Sequence, residues 1–380
     1  MRIRLILCIF IFVFLGFSKA FAQSSENSII RNIYIEVRQV FDEENPRKIF
    51  RTANKIKVST REEVVRRELL FKEGDVLDQF LLEESERNLR SLSFLRQVSI
   101  TPVKTRGGVD LFVSVQDTWT LFPEIALSSG DGQDKKAFSI TEKNLMGYGK
   151  RIELGYQKKE RRDDLRGIWE DPRVFGTYNR LFTAYFDRTD GYRTVNSFGR
   201  PFRSLKEPYS WEVEANIFDL VEKLYDAGNE RFIFRQRSQD LGARYTRSSG
   251  DPDKRVDRYS FGYHYSEDKF KQADAQDFVD ADVRPTDVSQ DPALLASNRR
   301  FSGPSFGYQA IEANYLSLDY VDRFSRIEDF NLGNEFSVVL NYAADVFGSA
   351  EDTLLYTISN LRGWQIRKES FLRGELSTSG

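Results

Sequence analysis

One cysteine and one histidine in 380 residues starve a His/Cys metal centre of ligands and deny most nucleophilic machinery its imidazole base. Neither an enzyme nor a bound cofactor is expected. Mean hydropathy is low, at −0.51, which excludes a helical membrane protein. Charge of one sign is not in excess either: 56 Lys plus Arg face 58 Asp plus Glu, a net of −2, so no bulk positive field exists to attract nucleic acid. That partner is not expected. What the chain does have in excess is aromatic, with 31 Phe, 17 Tyr and 4 Trp in an otherwise polar sequence. This pairing needs a physical cause.

The first stretch is not part of the fold. Residues 1–22 combine a basic start at Arg2 and Arg4, an apolar run from Leu5 to Phe17 and a small-residue exit at Ala20-Phe21-Ala22, the layout of a cleaved secretory signal. The run is shorter than the roughly 20 residues a spanning helix needs. Cleavage is expected before Gln23; it would remove Cys8 and leave 53 basic against 58 acidic residues, a net of −5. Without a disulfide, such an exported chain is held by burial or by lipid.

Residues 23–117 read as a small α+β domain. Ile33, Ile35 and Val37 alternate as the core face of a first strand. Thr60 followed by Glu63 has the spacing of a capping box before Val64 and Val65. Asp78 is placed to cap a second helix, with Leu81, Leu82, Leu89, Leu92 and Leu95 at a period near 3.6. Strands over Val98–Val103 and Val109–Val115 follow, joined by a tight turn at Arg106-Gly107-Gly108. The predicted order is β-α-α-β-β.

Beyond Trp119, segments of about ten residues alternate between turn clusters such as Thr189-Asp190-Gly191. Trp211, Val213, Ala215 and Ile217 oppose Glu212 and Glu214. Tyr259, Phe261, Tyr263 and Tyr265 oppose Arg258, Ser260, Gly262 and His264, and Phe336, Val338, Leu340 and Tyr342 repeat the pattern. Alternation of this kind fits a soluble sandwich as well as a transmembrane β-barrel, because both hide one face from water. Four aromatics in succession on one face favour the barrel, as does the polar stretch Lys269–Arg300, too long for a hairpin. In hydrocarbon only a closed sheet satisfies every backbone amide.

The ordered series Phe71-Lys72-Glu73-Gly74-Asp75, Arg87-Asn88-Leu89-Arg90-Ser91-Leu92 and Asp117-Thr118-Trp119, then Asn144-Leu145-Met146-Gly147-Tyr148-Gly149 and Asp171-Pro172-Arg173-Val174-Phe175-Gly176, resembles the BamA/TamA-like outer-membrane assembly family. The resemblance implies a periplasmic POTRA domain followed, over 118–380, by an antiparallel transmembrane β-barrel. That barrel has 16 strands in the family. About a dozen are readable here, and Ser377-Thr378-Ser379-Gly380 lacks an aromatic final residue, so a C-terminally truncated barrel is expected. Leu361-Arg362-Gly363-Trp364 matches in letters the family's lumenal Arg-Gly-aromatic signature, but it lies in strand-like sequence. The resemblance also implies an outer-membrane location, with unfolded outer-membrane or secreted polypeptides as clients, outer-membrane lipid as surroundings and accessory lipoproteins as possible partners.

The residues singled out follow from these readings. Val98, Ile100, Val109, Leu111 and Val113 are expected to form an exposed sheet edge, where a client adds a strand through main-chain hydrogen bonds. Arg258, His264, Glu212, Glu214 and Arg362 are the lumenal candidates. The carboxylate pairs Asp163-Asp164 and Glu328-Asp329 read as solvated, and Lys158-Lys159 with Arg161-Arg162 as a charged turn that could meet lipid headgroups. An outer-membrane pore or surface receptor, with the small domain as plug or dock, is the alternative function.

Overall fold

The structure, a computed structural model, describes residues 28–41, 57–130, 133–159, 162–319, 321, 326–368 and 370–380. The leader over 1–22, the connection through Pro46 and Arg161 lie outside these residues.

The small domain runs β1 (Ile30–Arg38), α1 (Glu62–Glu68), α2 (Gln79–Ser91), β2 (Leu95–Thr105) and β3 (Gly108–Asp117), the expected order. Its sheet has the spatial order β1-β3-β2, with β1 parallel and β2 antiparallel to β3. Both helices pack on one face around Ile33, Val65, Leu89, Leu95, Leu111 and Val113, all buried, with Ile35 and Val37 packed at the margin. Each fully buried aliphatic side chain there contributes about 1.5–3 kcal/mol. Asp78 caps α2 as expected, accepting the Phe80 and Leu81 amides, worth about 1 kcal/mol.

Two local expectations fail. The N-cap of α1 is Arg61, with no side-chain cap, because Thr60 is drawn into a tertiary network described below. The leucine period also overruns its helix: α2 ends at Ser91, Leu92 is its extended C-cap, and Leu95 opens β2. Spacing alone does not register that break.

Thirteen strands form the second sheet. They are β4 (Leu121–Gly130), β5 (Gln133–Glu142), β6 (Arg151–Lys159), β7 (Arg162–Asp171), β8 (Arg180–Arg188), β9 (Gly191–Arg200), β10 (Tyr209–Asp226), β11 (Asn229–Asp251), β12 (Arg255–Gln272), β13 (Arg299–Glu312), β16 (Glu335–Ala343), β17 (Thr353–Arg367) and β18 (Ser370–Ser379). Each is antiparallel to the next, and a separate hairpin, β14 (Tyr315–Asp319) with β15 (Ile327–Asn331), is inserted between β13 and β16. Among the described residues the sheet is open, with β4 and β18 at its two ends.

Period-2 alternation gives the sheet two unlike faces. One carries a continuous cross-strand row, Trp211–Tyr245–Phe261–Phe306–Leu340–Tyr356, and a second row, Ile125–Phe138–Tyr156–Leu165. These side chains are largely uncovered; Phe261 is 58% exposed and Ile125 74%. Ion pairs cross the opposite face: Arg166–Glu153 at 2.9 Å, Arg188–Asp164 at 3.1 Å, and Arg244 near both Glu212 and Glu214 at 3.7 and 3.8 Å. Asp164 is thus paired rather than solvated.

Strands β10, β11 and β12, of 18, 23 and 18 residues, outrun β4 to β9, of 9 or 10. The stretch read as a long loop contains a short helix, α3 (Ala275–Asp280), with a capping box at Asp274. Its Phe278 and Ala281 pack on Val221 of β10 and Ile233 of β11, while Arg235 bridges Asp219 and Asp277 at 2.5 and 2.6 Å.

Candidate functional site

Because β4 leaves the small domain and each strand reverses the last, the turns after β5, β7 and β9 return to the same rim. The small domain grips all three. At the first, Asp117 accepts the Thr60 amide at 3.1 Å and its hydroxyl at 2.5 Å, and Asn144 of the β5–β6 turn donates to the Thr60 hydroxyl at 2.7 Å while accepting the Gly149 amide at 2.6 Å. Lys57 Nζ is 2.6 Å from Asp117, with side chains 7% and 1% exposed. The approach has ion-pair distance without hydrogen-bond alignment. Burial holds the Lys57 ammonium below its ordinary pKa, against the opposing pull of Asp117. Gly147 closes this contact: its φ is +78°, and a Cβ there would lie 2.3 Å from the Ser59 carbonyl oxygen.

At the second turn Arg173 pairs with Glu68 of α1, both nearly buried. At the third, the Leu205 amide donates to Glu84 of α2 at 3.0 Å, Lys206 pairs with Asp78, and Phe80 packs against Leu205, Val256 and Ile311. Burial acts to raise the Asp78 pKa, but Lys206 and the two capped amides outweigh it and bring it below the ordinary value.

The β14–β15 hairpin supplies the fourth contact. Asp329 binds Arg90 of α2 through both carboxylate oxygens, at 2.8 and 2.9 Å, and Arg326 donates to the Leu92 and Leu95 carbonyls where α2 ends. Burial pulls the Arg90 pKa down, yet Asp329 and Glu86 more than offset it and leave it raised. The Arg87 guanidinium lies over the Tyr315 ring at 4.3 Å. Asp329 was expected in solvent; it is a docking residue. Between α2, this hairpin and the ends of β12 and β13 lies a cavity of about 640 Å³, lined by Arg87, Arg258, Gln309 and Glu335 among others.

The expected client edge is only half an edge. β3 is the middle strand, so Val109, Leu111 and Val113 are core residues with backbone partners on both sides. Period-2 patterning reveals faces but not neighbours, which is why the two strands look alike in sequence. β2 does lie at the edge, yet Val98 and Ile100 point into the core. The Ile100 amide donates outward to Glu86 at 2.7 Å, and Pro102, two residues on, has no amide to offer.

The lumenal candidates divide by parity. Glu212, Glu214, Arg258 and His264 share the charged face, His264 3.3 Å from Asp240 and Arg258 stacked 3.8 Å over Phe202. Arg362 does not join them. In β17 it has the parity of Tyr356, on the aromatic face, with its guanidinium 6.0 Å from the Trp364 ring. Of the basic cluster, Arg162 is engaged by Asp190, which its Nε meets at 2.6 Å. Among the described residues no group of three or more His, Cys, Asp or Glu is placed to hold a metal ion.

The molecule is thus a small α+β domain clamped to one rim of a long antiparallel meander with one aromatic and one charged face. Residues 54–117 match the family model described as POTRA, surface antigen variable number repeat. The comparison with curated proteins returns no match. Similar solved structures include BamA from Haemophilus ducreyi lacking POTRA domains 1–3, at 12% identity and TM-score 0.34, covering 87% of this chain and 72% of that one. CdiB from Acinetobacter baumannii gives 10% and 0.35 over 93% and 67%, and CdiB from Escherichia coli 10% and 0.30 over 92% and 70%. Scores this low add no argument of their own. The chain resembles the BamA/TamA-like assembly family through its POTRA match and the ordered motifs that follow it.

Proposed function

We propose that this chain is an outer-membrane protein that helps insert or assemble β-barrel proteins, or carries a partner polypeptide across the outer membrane. In this reading the aromatic face of the large sheet meets acyl chains, the charged face encloses water, and the small domain stands in the periplasm. The observation that carries it is the succession of a POTRA-matching segment and a meander with a continuous apolar, mostly aromatic row, since a strand protein puts such a face against lipid. Unfolded outer-membrane or secreted polypeptides are the clients, and lipid is the surrounding partner.

Strand addition at β2 is limited by Glu86 and Pro102 to the exposed end near Lys104, so a client is received at that end or at the cavity beneath the hairpin. Photo-crosslinkers at Lys104 and Gln309 test this in cells. Capture of nascent outer-membrane or secreted chains, with a fall in their surface levels on depletion, is the expected result; no capture and unchanged levels would remove the assembly reading. One feature favours the alternative of a surface receptor. A recess of about 1380 Å³ opens between α3 and the tips of β10 and β11, on the rim away from the small domain. Steady conductance in planar bilayers, or ligand uptake lost on deleting α3, would support that reading instead.

A further inference from the structure

Two turns on the small-domain rim have nearly the same backbone. In the β5–β6 turn, Asn144 has φ −145° and ψ 59° and Met146 φ 52° and ψ 25°; in the β7–β8 turn, Arg173 has −145° and 65° and Phe175 51° and 28°. Glycines follow in both, Gly147 at φ +78° and Gly176 at +74°. Each turn therefore holds an apolar, non-glycine residue in left-handed backbone, which L-residues disfavour. Neither side chain gains burial from it: Met146 is 64% exposed and Phe175 99%. The glycine side of each turn faces the small domain, at Ser59 and at Arg67.

The surroundings of these tips are those of a bilayer interface rather than of open water. Ile152 and Trp169 pair across β6 and β7 on the aromatic face, with Lys150 Nζ 5.8 Å from the Trp169 ring, so that face continues to the strand ends from which the turns spring. Val58, Tyr148 and Tyr178 are exposed nearby, and a recess of about 220 Å³ beside Met146 is lined by Val58, Trp119, Leu121 and Leu145. One cation flanks Met146: Arg61 lies 3.9 Å over the Tyr148 ring and donates from Nε to the Met146 carbonyl at 3.3 Å. Arg61 has no carboxylate partner among the described residues. Apolar tips beside a cation without a carboxylate partner match the boundary between anionic headgroups and acyl chains.

We infer that the tips at Met146 and Phe175 insert into the periplasmic-leaflet interface and set the depth and tilt of the small domain against the membrane. The inference rests on the membrane reading above and adds a contact to it. Spin labels at Met146→Cys and Phe175→Cys, in full chain carrying Cys8→Ser and reconstituted in vesicles containing phosphatidylglycerol, test it by collision with oxygen, which partitions into lipid, and with a water-soluble nickel chelate. Phe261→Cys serves as the lipid reference and Lys104→Cys as the aqueous one. Oxygen-dominated relaxation at 146 and 175, as at 261 and unlike 104, is the expected result. Nickel-dominated relaxation at 146 and 175 with oxygen-dominated relaxation at 261 would overturn the inference and leave the membrane reading intact; nickel-dominated relaxation at 261 as well would end both. Both labelled side chains are solvent-facing, so the substitutions do not disturb the core.

Discussion

Replacing Asp117 by Asn tests the buried network that ties the small domain to the sheet. The side chain is 1% exposed and faces the Lys57 ammonium, itself 7% exposed, at 2.6 Å. Asparagine keeps the shape and one acceptor for Thr60 but removes the nearest charge that offsets the burial of Lys57, leaving only the weaker pull of Glu142. Breaking one side of a buried ion pair costs about 3–5 kcal/mol, which at 1.36 kcal/mol per decade is an increase of about a hundredfold or more in the population of the opened domain. Amide hydrogen exchange of the full chain reads this directly at Leu111 and Val113, both in the middle strand and almost fully buried, because such amides exchange through global opening. A second change, Lys57→Met, removes the stranded cation, and the double variant should recover most of the loss. If Asp117→Asn alters exchange by only a few-fold, or the double variant is as weak as the single one, the network does not hold the domain in the way described.

Other consequences can be measured independently. The pKa of Lys57 is below its ordinary 10.5 in the folded chain because of burial. Between the folded value and 10.5, the unfolded chain keeps a proton that the folded one has released, so stability rises with pH across that alkaline window; the difference in urea midpoint between wild type and Lys57→Met should show this rise. Gly147→Ala brings a Cβ to 2.3 Å from the Ser59 carbonyl oxygen at φ +78°, and should cost about 2 kcal/mol or more by combining left-handed strain with loss of the Arg61 amide bond to the Gly147 carbonyl. Gly74→Ala, at φ +92° with open space around it, should cost only the strain of about 1–2 kcal/mol; proteolysis within the small domain ranks the two. Phe261→Arg should lower folding stability in vesicles by about 2–4 kcal/mol near the bilayer midplane, while Ser260→Arg, on the charged face, should be tolerated. Equal effects of the two, read by heat-modifiable gel mobility, would contradict the assignment of the faces.

Much of this architecture is legible in the residues because burial imposes a period. The alternation at Tyr259, Phe261 and Tyr263 is a local signal for the large sheet, and the alternation at Ile33, Ile35 and Val37 with the Asp78 cap is one for the β-α-α-β-β order of the small domain. What a local signal does not carry is partnership. Val98–Val103 and Val109–Val115 alternate alike, and only the fold makes the second the central strand. Thr60 has the spacing of a cap, but Asp117 and Asn144 offer its hydroxyl better-buried partners, and tertiary bonding overrides the local motif. Asp329 reads as a surface carboxylate until Arg90, 239 positions away, is placed against it. Arg362 is the one misplacement that counting alone corrects: it has the parity of Tyr356 and Ile358, so it cannot share a face with the charged row while the strand is regular.

The four docking contacts described at the rim have a mechanical corollary. Because one compact domain is fastened to the turns after β5, β7 and β9 and to the hairpin beyond β13, it acts as a clasp across most of the meander's breadth. The clasped strands cannot splay apart one at a time. Between β5 and the hairpin beyond β13, any widening of the rim has to unfasten one of these contacts in addition to the sheet's own hydrogen bonds, so the ion pairs of Glu68, Asp78 and Asp329 add to what holds that stretch shut.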